Sequence, residues 1–299
     1  MPHSHSATGR HASRLGGALG LGIAILVVEL VAGFAANSLA LLADAGHMFA
    51  DVSGIALSLA AVWVAARPPS GQRSFGWYRL EIMAAAANAV LLLLIAIVVV
   101  AEAVERFVRP PAVESGIVIV VALVALAANV VSLRLLAGGR HESLTVRGAY
   151  LEVVGDLLGS ASVLVAGVVV SATGWRPADA VASLVVAALI VPRTVSLLRD
   201  SLDILLEATP KGIDLAEVRA HILRASGVGD VHDLHAWTIT SGMNVVSAHV
   251  VLTPDAQPGD VLDELGECLS DDFDVNHSTF QLETPDHVRW EARSDRAQH

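Results

Sequence analysis

Apolar residues run along the first two thirds of this chain in blocks too long for the core of a water-soluble domain. Six stretches, near residues 15–36, 38–66, 79–107, 115–137, 146–172 and 178–205, are apolar over about 20 residues or more, the length a helix needs to cross a bilayer core. The first is too long, too lacking in a clear cleavage site and too closely followed by another span to be a removed signal peptide, so it reads as a retained helix. Beyond residue 207 the pattern changes. "PKGIDLAEVRAHILRA" has helical periodicity, "DVHDLHAWTIT" and "NVVSAHVVL" alternate like strands about the turn "SGM", "GDVLDELGECLSDDF" is helical again and "HSTFQLE" is a last strand. The expected fold class is an α-helical membrane protein: a six-helix transmembrane bundle followed by a small α+β domain of order α-β-β-α-β, its helices on one face of the sheet. The expected divisions are a polar arm at 1–14, the membrane domain at 15–207, the small domain at 208–286 and a flexible tail at 287–299.

Composition agrees with the pattern. Of 299 residues 54% are hydrophobic and only 16% charged, with a mean hydropathy of +0.60 that ordinary soluble domains do not reach. The single cysteine, Cys268, excludes an internal disulfide and any CxxC motif. The net charge of −11 is carried almost wholly by residues after Thr209, and such an acidic region repels nucleic acid. No nucleic-acid partner is expected. Arginines fix the orientation, because cytoplasmic loops collect basic residues. Arg10, Arg14, Arg67, Arg73, Arg79, Arg134, Arg140, Arg147, Arg193 and Arg199 fall on one side; Arg106, Arg109 and Arg176 fall on the other. Both termini are therefore expected in the cytoplasm, in a multi-pass protein of the cell membrane. A single lysine among 19 basic residues fits a GC-rich bacterial source, hence a bacterial inner membrane.

The chemistry lies inside the second and fifth apolar blocks. In "LLADAGHMFADVSG", His47 and Asp51 are four residues apart and share a helix face, with Asp44 three residues before His47. In "YLEVVGDLLGS", Glu152 and Asp156 repeat the spacing. Ionisable groups in a bilayer cost several kcal/mol each, so they face a bundle interior and mark ion or proton routes. Two facing helices with two donors each make a tetrahedral cage suited to a divalent ion such as zinc. The plainer alternative, polar bonds gluing helix to helix, rarely takes the form of repeated charged pairs. Gly155 and Gly159 have the spacing that lets helices approach closely. Glu29, Asn88 and Asn129 either line a pathway or bond a neighbour, the second being the commoner use.

The stretches "NSLALLADAGHMFADVSG", "SFGWYRLEIMAAAANAV", "VRGAYLEVVGDLLGS", "VHDLHAWTITSG" and "HSTFQLE" together resemble the cation diffusion facilitator family, in the family's order and over nearly the whole chain. The resemblance implies a homodimer in a lipid bilayer, each subunit exporting zinc or a similar divalent cation in exchange for protons, with His47, Asp51, Glu152 and Asp156 as the transport site. It implies a ferredoxin-like or metallochaperone-like cytoplasmic domain in which His232, His249 and His277 bind regulatory metal, with Asp233 or Glu283 completing the site. Ordinary packing and local hydrogen bonds are the rival reading of these strand histidines. The chain departs from its relatives at Glu152, where zinc exporters commonly carry histidine. Oxygen in place of nitrogen relaxes the preference for zinc and leaves cobalt, nickel, manganese or iron open. The loop "RPPSGQRSFGWYRLE" lacks the histidines that relatives place there, so no loop metal site is expected. Arg79 is expected either to pair with a carboxylate such as Glu207, similar to the family's charge interlock, or to serve as an interfacial anchor.

Three carboxylates and an imidazole crowded in a low-dielectric site cannot all stay ionised without a cation, so proton binding alternates with metal binding. An intramembrane metalloprotease would need HExxH, and Met48 follows His47. No enzymatic activity is expected. A membrane-bound metal sensor without transport is the remaining alternative, although it gains nothing from paired ligands in two spans.

Overall fold

The computed structural model describes residues 5–65, 67, 70–137 and 144–287, with side chains from Leu19 onward except at 55, 58, 59, 61, 62, 65, 144–149 and 276. The side chains of the expected arm, among them His3, His5 and His11, lie outside the described residues, as do Arg140, Arg147 and the tail from 288. The chain divides into two compact units, Met1–Ala60 with Ala85–Leu198, and Ala61–Ala84 with Arg199–His299.

Six long helices dominate: α1 (His5–Ala36), α2 (Leu39–Ala65), α3 (Arg79–Val108), α4 (Ser115–Ala137), α5 (Leu144–Thr173) and α6 (Pro177–Leu205). Even the shortest, of 23 residues, extends about 35 Å at 1.5 Å per residue, enough to cross a hydrocarbon core of about 30 Å. Five described segments are long and apolar enough to span: Leu19–Ala36, Arg79–Val108, Ser115–Ala137, Tyr150–Thr173 and Pro177–Leu205. The remaining expected span, 38–66, coincides with α2, 27 residues long, which carries His47 and two aspartates. Large apolar side chains such as Val31, Phe34, Val98 and Val165 point outward, the reverse of a soluble bundle.

Small residues set the helix contacts. The first unit's core is rich in alanine (Ala32, Ala36, Ala40, Ala43, Ala122, Ala166) with Val118, Val163 and Val186 filling between. A Cβ on Gly33 of α1 would lie 2.8 Å from the Leu42 side chain and 3.2 Å from its backbone nitrogen, so glycine is required where α1 meets α2. Asn37 turns the chain between them with φ 52°. The start of α2 is then tied to α6: Ser38 Oγ donates to Asp179 Oδ1, and the Leu39 N–H donates to Asp179 Oδ2 at 2.7 Å. An acid here satisfies first-turn donors that have no partner within their own helix.

The second unit contains α7 (Leu215–Ile222), β1 (Val228–Thr240), β2 (Met243–Leu252), α8 (Pro258–Phe273) and β3 (Val275–Glu283), the order expected from the alternation pattern. Strand order is β1-β2-β3, with β1 and β2 antiparallel and β2 and β3 parallel. Gly242, at φ 74°, makes the hairpin turn, a conformation that side chains resist. Asp214 caps α7 by accepting from the Ala216 N–H at 2.8 Å. Val218, Ile222, Val261, Leu265 and Leu269 of the two helices pack on Val246, Ala248 and Val250, leaving the intervening His249 on the opposite face of the sheet. Within this unit Arg79 pairs with Glu207 at 2.7 Å in the same chain.

Candidate metal centre

His47 and Asp51 come from successive turns of α2, and Asp156 comes from α5. His47 Nε2 lies 3.4 Å from Asp51 Oδ2 and 3.3 Å from Asp156 Oδ1. The three ligand atoms all fall within 4.8 Å of one another. Around a tetrahedral zinc with bonds of about 2.0 Å, nitrogen and oxygen ligands stand about 3.3 Å apart, so the two contacts to Nε2 have the separation of a shared cation. The side chains are 11%, 25% and 13% exposed, partly withdrawn from solvent yet not sealed. His47 Nδ1 is buried and has no hydrogen-bond partner among the described residues.

Glu152 does not join the three. It stands one turn before Asp156 on α5 and pairs instead with Arg193 of α6, Nη2 to Oε1 at 3.1 Å, while remaining close enough to Asp51 for their charges to act on each other. Nothing in the sequence pattern marked Arg193 as its partner, since an arginine near the end of a span reads first as a topology signal.

Behind the centre lies a buried polar chain. Asp44, on the same face as His47, accepts from Ser160 Oγ at 3.3 Å, and Asn129 Nδ2 donates to that same hydroxyl at 3.3 Å. Asn129 thus bonds a neighbour, as the commoner use had it. Glu29 of α1 is also buried, faces Asp44, and keeps Oε2 without a hydrogen-bond partner among the described residues. A Cβ on Gly159 would sit 3.1 Å from Asp44 Oδ1, a tight contact with that carboxylate; one on Gly155 would meet nothing within 4 Å. Of the pair expected to ease helix approach, Gly159 is the one at a contact.

The second unit holds another cluster. His232 and His249 are opposite each other in the β1–β2 register with ring centroids 5.1 Å apart. Glu283, the last residue of β3, reaches both: Oε2 is 3.1 Å from His232 Nε2 and Oε1 is 2.7 Å from His249 Nδ1. Asp233 sits on a bulge at φ 49° and lies 3.6 Å from His249 Nε2 and 3.0 Å from His235 Nε2. His277 is elsewhere. It pairs with Val245, four residues along β2 from His249, is exposed, and stands perpendicular to the Phe75 ring with centroids 6.3 Å apart.

Comparison with known proteins decides the family. The transmembrane domain of cation efflux proteins matches residues 18–206, and their cytoplasmic domain matches residues 210–285. The chain belongs to the cation efflux family. The efflux protein is 43% identical over 282 residues to the metal cation efflux system protein CzcD of Cupriavidus metallidurans, covering 94% of this chain and 89% of that one. It is 40% identical over 291 residues to the zinc transporter ZitB of Escherichia coli, covering 95% and 93% respectively. It is 36% identical over 267 residues to a cadmium, cobalt and zinc/H(+)-K(+) antiporter of Bacillus subtilis, covering 88% and 86%. The efflux protein is thus a multi-pass membrane transporter of divalent metal and not an enzyme.

Proposed function

We propose that the protein exports a divalent metal cation, zinc foremost, from the cytoplasm in exchange for protons, and that His47, Asp51 and Asp156 hold the ion with Glu152 as the adjoining fourth donor. The observation that carries this reading is the convergence of Asp51 and Asp156 on one imidazole nitrogen within a bundle of apolar helices. The names of the relatives support zinc as cargo, and the antiporter among them supports proton exchange.

The exchange follows from the donor set. Without cargo, neighbouring carboxylates in a weakly polar setting bind protons or borrow a cation from the protein, as Glu152 does from Arg193. A divalent ion displaces those protons on entering. Return of the protons from the far side releases it, so each half of the cycle drives the other. A cobalt- or manganese-preferring exporter is the second reading, favoured by a cluster with one nitrogen donor and three carboxylates close by.

The cytoplasmic domain is proposed to bind regulatory metal through His232, His249 and Glu283 and to hold two subunits together, in a bacterial cell membrane with both termini inside. The functional divisions proposed are 15–207 for transport and 208–286 for regulation. Flux of zinc, cobalt and manganese into sealed proteoliposomes under an imposed proton gradient tests the whole reading. Asp51→Ala and Asp156→Ala are expected to lower flux at least about 10- to 100-fold, the range seen when even a residue that only supports a metal ligand is lost. Undiminished flux in either variant would overturn the assignment.

A further inference from the structure

The helical layer of the second unit carries a third donor cluster. His221 stands in the last turn of α7, and Cys268 and Asp272 stand four residues apart on α8, hence on one face of it. His221 Nδ1 lies 3.2 Å from Asp272 Oδ2 and 3.5 Å from Cys268 Sγ, and the sulfur lies 3.9 Å from that same carboxylate oxygen. All three ligand atoms fall within 4.8 Å of one another.

Two uses of such a trio can be separated by geometry. A nucleophilic thiol relay needs the thiol on one ring nitrogen and the acid on the other, so that the imidazole can pass a proton between them. Here both approach Nδ1, which leaves no relay. Convergence is what a metal ion asks for. With metal bonds of about 2.3 Å to sulfur and about 2.0 Å to nitrogen and oxygen, a tetrahedral site puts its ligands about 3.3 Å (N–O) and about 3.5 Å (N–S and S–O) apart. The observed separations of 3.2, 3.5 and 3.9 Å follow that set within a few tenths of an ångström.

The surroundings also suit a cation. Both helices end here with their negative dipole ends, and the last turn of α8 carries no basic residue, while Arg224 just past α7 is opposed at Cys268 by Asp272 and Glu264. Phe273 meets the His221 ring edge to face at 5.0 Å and holds its orientation. Asp272 and His221 are accessible from solvent, which gives an ion a way in. The cluster is separate from His232, His249 and Glu283, because α7 and α8 cover one face of the sheet and His249 is on the other.

We infer that His221, Cys268 and Asp272 form a second metal site of this domain, taking a thiophilic divalent cation of the zinc or cadmium class at three protein ligands, with the fourth position open to water. A bound ion would join the end of α7 to the end of α8. This inference does not depend on the transport site, and its test is blind to that site.

The test uses the full-length, reduced protein in detergent with cobalt as the probe. Cys268 is the chain's single cysteine, so a thiolate-to-cobalt charge-transfer band can arise at this cluster alone, whatever other sites fill. The band is expected in the wild type and in Asp51→Ala, and is expected to disappear in Cys268→Ser and to weaken several-fold in His221→Ala and Asp272→Asn. Absence of the band at saturating cobalt, or a band unchanged in His221→Ala and Asp272→Asn, would overturn the assignment. A wild-type measurement stands beside it should a variant fail to fold: saturating zinc is expected to slow alkylation of Cys268 by about tenfold or more, because a metal-bound thiolate is withdrawn from attack. Unslowed alkylation is equally fatal.

Discussion

Arg193 holds the one carboxylate of the candidate transport group that the other three residues do not reach. Replacing Glu152 with histidine removes that ion pair and adds a nitrogen donor one turn from Asp156. Glu152→His is expected to shift preference toward zinc over manganese by about tenfold, or 1.4 kcal/mol, read from competitive flux. An unchanged preference would place Glu152 outside the coordination sphere. At Cys268, burial first and then Asp272 push the thiol above its ordinary value. Less thiolate is present at neutral pH, so alkylation in the presence of a chelator should lag behind that of a free thiol at pH 7 and close the gap as pH rises. A flat rate ratio between pH 7 and pH 10 would contradict that environment.

Among the elements, the helix ends were readable, except that α1 begins at His5, within the stretch 1–14 expected to be a polar arm, and their rotations were not. The spans expected after the first lie within two residues of α2 to α6, because the switch between apolar and polar solvent is written into the composition of each block. Spacing of four residues placed His47 with Asp51, since that relation is local to one helix. Which donors of α5 face α2 depends on packing between helices, and there the pattern was silent: Asp156 turns inward and Glu152 turns to α6. The cap on α2 was equally hidden, its acid being 140 residues away in Asp179. Asp179→Ala strands the Ser38 hydroxyl and the Leu39 N–H, and should cost about 1–3 kcal/mol, seen as a lower thermal midpoint in detergent. Gly33→Ala forces a methyl group against Leu42 and should cost about 1–3 kcal/mol by overpacking. Wild-type midpoints in both variants would remove these two contacts from the account. In the sheet, six residues separate His277 from Glu283, about 20 Å along an extended strand, so only one of them can reach His249. Parallel pairing of β2 with β3 chose Glu283, and strand alternation alone carries no information about register.

For the whole molecule, fold class followed from the long apolar blocks, and the order of the small domain followed from period and turns. Charge and packing at a distance supplied the rest: a polar chain from Glu29 through Asp44 to Ser160 and Asn129 joins four helices, α1, α2, α5 and α4, behind the candidate metal centre. Proton exchange predicts that cation binding by the intact protein releases protons and weakens as pH falls, since protons and metal compete for the same donors. Calorimetry in buffers of differing ionisation enthalpy reads this directly, and buffer-independent heats would argue for an exporter without proton coupling. The tie between Ser38, Leu39 and Asp179 bears on any motion that alternates access. Two rods tied at one tip part more easily at the other, like the legs of a compass, so this tie favours any swing of α2 against α6 that pivots on the Asp179 end.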